Sequence, residues 1–212
     1  MPRKKIDRDI RREALVDAAR QFIFRNGFDE SNMDEIAIAA DCTRRTLYTY
    51  FKSRDELCLL VFLDGLRLRV QMQRSAMASA PSGLARLRRW GEAFHEFAQR
   101  YPEYLRIQLY WDYKGIDQYA IGADVFAEFR ELNEEIIEDL RSAFRAGIDE
   151  GSIRADLPVD MTISQYVYTL RSVLNKALFP AFSFARFDGE EYVRRYLDLF
   201  TGAIASHAQE EK

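Results

Sequence analysis

The stretch GFDESNMDE, residues 27–35, running directly into IAIAADCTRRTLYTYFKSRDEL, residues 36–57, decides the fold. Asn26 and Gly27 end the helix that precedes it, because glycine takes the left-handed conformation of a helix C-terminus without strain. Asn32 is placed to cap the next helix, and Glu35 three residues on completes a capping-box-like pair. In that helix Met33, Ile36, Ala37 and Ala40 fall on one inner face. Asp41-Cys42 makes a tight break, Thr43 caps again, and Leu47 with Phe51 anchors a short third helix. Two short capped helices joined by an abrupt turn form a helix-turn-helix pattern over about residues 32–51.

The outward face of the third helix carries the functional signal. With Leu47 and Phe51 set inward at about 100° per residue, Arg45, Tyr48, Thr49 and Lys52 turn outward, and Arg44 and Thr46 lie on the flanks. Arginine makes paired hydrogen bonds to guanine O6 and N7, threonine offers a hydroxyl and a methyl, and tyrosine and lysine reach phosphates. Arg45 projects farthest from the inner anchors and is the first candidate for a guanine, with Lys52 assigned to phosphate. The residues alone leave a second reading open, since any solvated helix face can carry Arg, Thr and Lys.

Outward from this segment, almost everything reads as helix. Upstream, residues 9–25 place Leu15, Ala18, Ala19, Phe22 and Ile23 on one apolar stripe. Downstream, Ser53 and Glu56 mark a helix start running from about Arg54 to Ser79. Breaks at Pro81-Ser82-Gly83, Tyr101-Pro102, Lys114-Gly115 to Gly122, Gly151 to Pro158 and Phe179 to Gly189 separate helices of roughly 84–100, 103–113, 123–149, 159–178 and 190–207. No alternating strand pattern, low-complexity linker or internal repeat interrupts them. The prediction is an all-α chain of nine helices, with a headpiece over residues 9–69 and a larger helical body over 70–208.

Charge and composition agree with a soluble binding protein. The net charge is −3, yet residues 1–12 hold Arg3, Lys4, Lys5, Arg8, Arg11 and Arg12 against only Asp7 and Asp9. A basic tip on an acidic body suits local phosphate contact, because only the contacting face has to be positive; a solubilising tail is the alternative. MPRKKIDRDIRRE has no apolar stretch behind it, as a secretory signal would, and no run approaches the roughly 20 apolar residues of a membrane span. Cys42 and Cys58 cannot build a disulfide framework, which points to a reducing cytoplasm and no membrane partner.

The segment 36–57 resembles the DNA-binding region of the tetracycline-repressor (TetR) family, whose members share a pattern close to I-A-x-x-A-G-V-S-x-x-T-L-Y-x-Y-F-x-s-K-x-x-L. Ile36, Ala37, Ala40, Thr46, Leu47, Tyr48, Tyr50, Phe51, Ser53 and Leu57 fit that pattern position by position. The resemblance implies that Arg44, Arg45 and Thr46 address base edges. It also implies that Tyr48, Tyr50 and Lys52 contact phosphate or line the groove, and that Thr43 caps the recognition helix. Three positions depart from the pattern. Asp41 stands where the family has a turn glycine, so a slightly different turn is expected. Cys42 replaces a small aliphatic residue and is read as packing, since no resolving cysteine lies nearby in sequence. Asp34 sits where some members present a basic base-reading residue, and a carboxylate cannot donate to guanine.

For the body the resemblance implies architecture without chemistry: a homodimer joined through its last two long helices, enclosing a small-molecule effector. Leu170 and Leu174 in the penultimate helix, with Val193, Leu197, Phe200 and Ile204 in the last, form apolar stripes assigned to that interface. The same stripes also suit an internal core. Trp90, Phe94, Trp111, Tyr113, Phe126, Tyr166 and Arg171 are the candidate effector-binding residues within an aromatic-dense middle that also includes Tyr119. Nothing supports catalysis, a cofactor or a metal: His95 and His207 are the only histidines, and no nucleophile motif, phosphate loop or Cys/His spacing is present. The expected function is a DNA-binding regulator, a repressor released from a palindromic operator by a small molecule. The alternative is an all-helical small-molecule-binding protein or enzyme whose headpiece no longer binds DNA.

Overall fold

The computed structural model describes residues 3–28, 32–116, 120–179 and 187–206, with side chains from Asp7 onward; Tyr119 and His207 lie outside the described residues. Among these residues there are nine helices: α1 (Arg3–Asn26), α2 (Met33–Ala39), α3 (Arg44–Tyr50), α4 (Arg54–Ala78), α5 (Gly83–Arg100), α6 (Pro102–Lys114), α7 (Ala123–Asp149), α8 (Val159–Leu178) and α9 (Gly189–Ile204). The predicted all-α architecture is therefore the observed one. The main differences are that α1 begins at Arg3 instead of residue 9 and that α9 ends at Ile204. Helix starts fall where side chains can satisfy free backbone N–H groups. Asn32 accepts from the amides of Asp34 and Glu35, Thr43 from Thr46, Ser82 from Ala85 and Asp188 from Glu191. No described helix is long and apolar enough to cross a membrane.

The chain forms two compact units, the first from residues 1–67 and 103–131 and the second from residues 68–102 and 132–212. In the first, Leu15, Ala19 and Ile23 of α1 share a core with Met33, Ile36 and Ala37 of α2, Leu47 of α3, Phe51 and the leading turns of α4. Helix α6, distant in sequence, belongs to this same unit. Gly65 permits that packing, because a Cβ there would lie 2.4 Å from the Tyr104 ring. Phe24 meets Tyr104 edge-on at 4.9 Å, and Phe28 meets Tyr110 at 4.4 Å. The turn between α3 and α4 is stitched to the segment before α7. The Ser53 hydroxyl donates to the Ala120 carbonyl at 2.6 Å, and the buried Glu56 carboxylate accepts from the Gly122 amide at 2.7 Å.

The second unit packs α5, α8 and α9 around Trp90, Phe94 and Tyr166, joined by the trailing parts of α4 and α7. Tyr166 stacks on Phe200 at 4.2 Å and donates its hydroxyl to the Leu87 carbonyl at 2.8 Å. Gly91 admits this arrangement, since a Cβ would come within 2.3 Å of the Tyr166 oxygen and 2.5 Å of Leu197. The residues assigned from sequence to a dimer interface take part in this core. Leu170, Leu174, Val193, Leu197 and Ile204 are 0–3% exposed within the single chain, and Phe200 is half-buried against Tyr166. The apolar stripes of α8 and α9 face each other and α5, so they are already covered before any second copy arrives. The large apolar side chains that these helices leave to solvent are Met161, Tyr168 and Leu199, with Gly202 and Ala203 also exposed.

Candidate nucleic-acid interface

Helix α3 is short, and its geometry follows from three local facts. Leu47 is wholly buried and Phe51 nearly so, which fixes the helix's rotation about its axis. Thr43 caps its start at 3.1 Å, and the Thr43 and Thr46 hydroxyls share a 2.9 Å hydrogen bond. Tyr50 is the last helical residue, because Phe51 turns to an extended conformation. Arg44, Arg45, Tyr48 and Thr49 consequently face solvent, while Thr46 and Tyr50 are half-buried. The Thr49 hydroxyl donates back to the Arg45 carbonyl at 3.1 Å, leaving its methyl as the outward group.

Lys52 departs from the expectation that it lies on the α3 face. It follows the extended Phe51, outside the helix, and its ammonium donates to the Ile121 carbonyl at 3.4 Å. Its place on the surface is nonetheless beside the basic start of α1. Arg8 reaches the Thr49 carbonyl at 3.4 Å and lies 5.8 Å from the Tyr50 ring centre, and Arg12 lies 5.6 Å from the Phe51 ring centre. A groove of about 510 Å³ runs past Arg8, Arg12, Tyr48, Tyr50 and Lys52, with Asp9, Glu56 and Asp124 also on its walls. The basic N-terminus, expected from sequence as a phosphate-contacting tip or a solubilising tail, thus places Arg8 against α3 and Arg12 against the residue that ends it.

The turn before α3 keeps the geometry that the glycine-to-aspartate replacement had put in doubt. Asp41 adopts φ +48°, the left-handed region that Asp reaches more readily than most residues. The Cys42 amide donates to the Ala37 carbonyl at 2.9 Å and the Asp41 amide to the Ile38 carbonyl at 3.1 Å, the paired bonds of a Schellman C-cap. Cys42 is half-buried, and burial raises its thiol above the ordinary value, which disfavours the reactive thiolate. Asp34 has a role that sequence reading missed: its carboxylate takes a 2.8 Å ion pair from Arg44.

The seven candidate effector residues do not form one cluster. Trp90, Phe94 and Tyr166 pack on one another in the second unit, with ring centres 5.4–5.8 Å apart. Arg171, also there, lies 5.3 Å from the Tyr168 ring centre. Trp111, Tyr113 and Phe126 belong to the first unit, where Trp111 is buried beside Phe28 and Tyr113 is 93% exposed. The second unit also buries two polar side chains that sequence reading passed over. On α4, Arg69 lies 4.3 Å from the Phe94 ring centre, and Gln73 one turn later has neither amide atom hydrogen-bonded. Both interrupt an otherwise apolar heptad-like face, a signal visible in LRLRVQMQRSAM had inward orientation been known. No group of three His, Cys, Asp or Glu among the described residues is placed to hold a metal ion.

Residues 15–61 match the family model described as bacterial regulatory proteins, tetR family. The chain is 32% identical over 124 residues to the HTH-type transcriptional activator FasR of Mycolicibacterium smegmatis, a stretch covering 58% of this chain and 57% of that protein. In fold it is similar to the transcriptional regulator FadR from Bacillus subtilis in complex with stearoyl-CoA, with TM-score 0.70 and 16% identity, covering 91% of this chain and 98% of the other. It is also similar to AibR in complex with isovaleryl coenzyme A and operator DNA, with TM-score 0.65 and 17% identity, covering 89% of this chain and 97% of the other. Residues 15–61 thus carry the sequence of a tetR-family bacterial regulatory protein, and most of the chain is similar in fold to solved transcriptional regulators.

Proposed function

We propose that this protein regulates transcription by binding a palindromic operator as a homodimer and by changing its operator affinity when a small apolar molecule binds its second unit. The observation that carries the DNA-binding part is the face of α3: Arg44, Arg45, Tyr48 and Thr49 point to solvent from a helix whose opposite side is locked by Leu47 and Phe51. Arg45 makes no ion pair among the described residues and is available for a guanine edge, while Tyr48, Tyr50 and Lys52, with Arg8 and Arg12, supply phosphate contacts. Thr43 and Thr46 hold the start of the helix, with Thr46 beside the base edges. One headpiece spans only a half-site, so a two-fold pair of headpieces requires a two-fold site.

The dimer surface in this reading is the solvent face of α8 and α9, with Met161, Tyr168 and Leu199 as its apolar groups and Gly202 and Ala203 allowing close approach. The effector site draws on the interior around Trp90, Phe94 and Tyr166, with Arg69, Gln73 and Arg171 as polar groups. The FadR and AibR structures hold stearoyl-CoA and isovaleryl coenzyme A, so molecules that offer an apolar acyl chain to this interior, with any polar carrier left outside it, are the first class to try. FasR bears the name of an activator, so release from a repressed promoter is one direction of control and recruitment the other.

The experiment is selection of genomic fragments by the purified protein, followed by sequencing and titration. A two-fold symmetric motif should be enriched, and its affinity should change on adding an effector. Linkage requires the operator to shift effector affinity by the same factor. Fragments enriched no more than their input would end the DNA-binding reading, and ligands that raise thermal stability without altering operator affinity would end the switch.

A further inference from the structure

We propose that Asp34 is a positioning residue for base recognition: it aims the Arg44 guanidinium at one base pair of each half-site and holds the headpiece away from DNA that lacks it. This inference rests on the DNA-binding reading of α3 and deepens it.

The geometry comes from both short helices of the motif. Arg44 Nη1 donates to Asp34 Oδ2 at 2.8 Å, joining the start of α3 to the start of α2. On the other side the guanidinium lies 5.6 Å from the ring centre of Tyr48, one turn along its own helix. Both contacts favour the charged arginine, the Tyr48 hydrogen bond most strongly and the Asp34 charge next. Asp34 is itself anchored, because its amide donates to Asn32 Oδ1 at 3.0 Å within the α2 cap. The planar guanidinium thus stands between a carboxylate and a ring on an exposed helix face, and one bond to Asp34 leaves most of its five N–H donors for another acceptor. Arg45, its neighbour, has no such partner among the described residues.

Both side chains of the pair are more than half exposed, so the pair adds little to folding stability. Its effect lies in binding. An arginine already held in one direction loses less freedom when it meets a base edge, and a fixed fork tolerates fewer base pairs than a mobile one. The carboxylate also repels phosphate. It therefore weakens backbone contact generally, and only where Arg44 meets its base pair does a base contact offset that cost. Aiming and repulsion act in the same direction, toward discrimination and away from raw affinity.

The test compares wild type, Asp34→Asn, Asp34→Glu and Arg44→Ala by titration against the selected operator, its single-base variants and a shuffled duplex, at several salt concentrations. Asp34→Asn should lower discrimination about fivefold at one base pair per half-site, the same base pair that Arg44→Ala flattens. It should bind the shuffled duplex about twofold more tightly, because a repelling charge is gone. Asp34→Glu should recover most of the discrimination, and all variants should melt close to wild type. Unchanged base preference in Asp34→Asn, or a loss at a base pair different from the one Arg44→Ala affects, overturns the proposal while leaving the DNA-binding reading intact. A wild-type protein that selects no DNA removes both.

Discussion

The face of α3 and the interior of the second unit are built from the same residue types turned in opposite directions. On α3, arginine, tyrosine and threonine stand in solvent around two buried anchors, Leu47 and Phe51. In the second unit Arg69 is buried against Phe94, Tyr166 against Trp90 and Phe200, and Gln73 is buried one turn from Arg69. A polar group in water costs nothing until a partner displaces that water, whereas a buried one has to be matched or endured. The first surface is therefore suited to exchanging partners, and the second to responding when its interior is filled or rearranged. The difference also explains why stability and recognition can be perturbed separately in this protein.

The comparison breaks most visibly at Leu197 and Leu199, two residues apart on α9 and 2% against 74% exposed. Leu197→Ala should cost about 2–5 kcal/mol of folding stability in chemical denaturation. Leu199→Glu should leave the melt of the chain nearly unchanged while shifting sedimentation from dimer to monomer. A Leu197→Ala protein that melts like wild type yet fails to dimerise would restore the interface expected from sequence and undo the core described above.

On the recognition side, Arg45→Ala should cost about 1–3 kcal/mol of operator binding and relax preference at one base pair per half-site, without moving the melting temperature. Uniform weakening against all single-base variants would place Arg45 on phosphate instead.

In the interior the sign reverses. Gln73→Met keeps the volume and removes two buried amide atoms that have no hydrogen-bond partner, so it should raise stability by about 1–2 kcal/mol. The same change should blunt the effector response measured by operator titration. Destabilisation would mean that the amide is matched, and Gln73 would then belong to the structural core alone.

Asp41 offers a smaller gain in the first unit. Its φ of +48° suits glycine better, and Asp41→Gly should add about 0.5–1 kcal/mol to stability with operator affinity unchanged. A loss of stability would show that the carboxylate, not the backbone angle, matters at that turn.

The smallest effect concerns pH. Burial lowers the half-buried His95 below its ordinary value of 6.5, with Glu190 pulling weakly the other way. Well above that value neither folded nor unfolded chain is protonated there. As pH falls through it the unfolded chain takes the proton first, so stability declines slightly. His95→Gln should flatten that decline in denaturation measured between pH 7.5 and roughly 5.5; an equally steep curve would assign it to other groups.

Much of the headpiece was legible without coordinates because its helices are short, capped and buried on one side. Asn32, Thr43 and Ser53 announced their helix starts, and Leu47 with Phe51 oriented α3 to within a residue. Lys52 was misplaced because nothing local marks Phe51 as the point where the backbone turns extended. In the long helices periodicity told where helix would form but not which neighbour each stripe meets. The stripes of α8 and α9 looked the same whether they covered a partner or one another, and Trp111 looked like an effector residue until α6 packed with the headpiece. The sequence by itself determined the all-helical class, the helix boundaries and the outward chemistry of α3, because backbone capping and the 3.6-residue repeat act over a few neighbouring residues. Only the tertiary structure decided that Leu197 is core and Leu199 surface, that Asp34 meets Arg44, and that Gln73 lies buried without a hydrogen-bond partner among the described residues. Those relations join residues through space, and their energies depend on which surfaces exclude water together, which no single helix encodes.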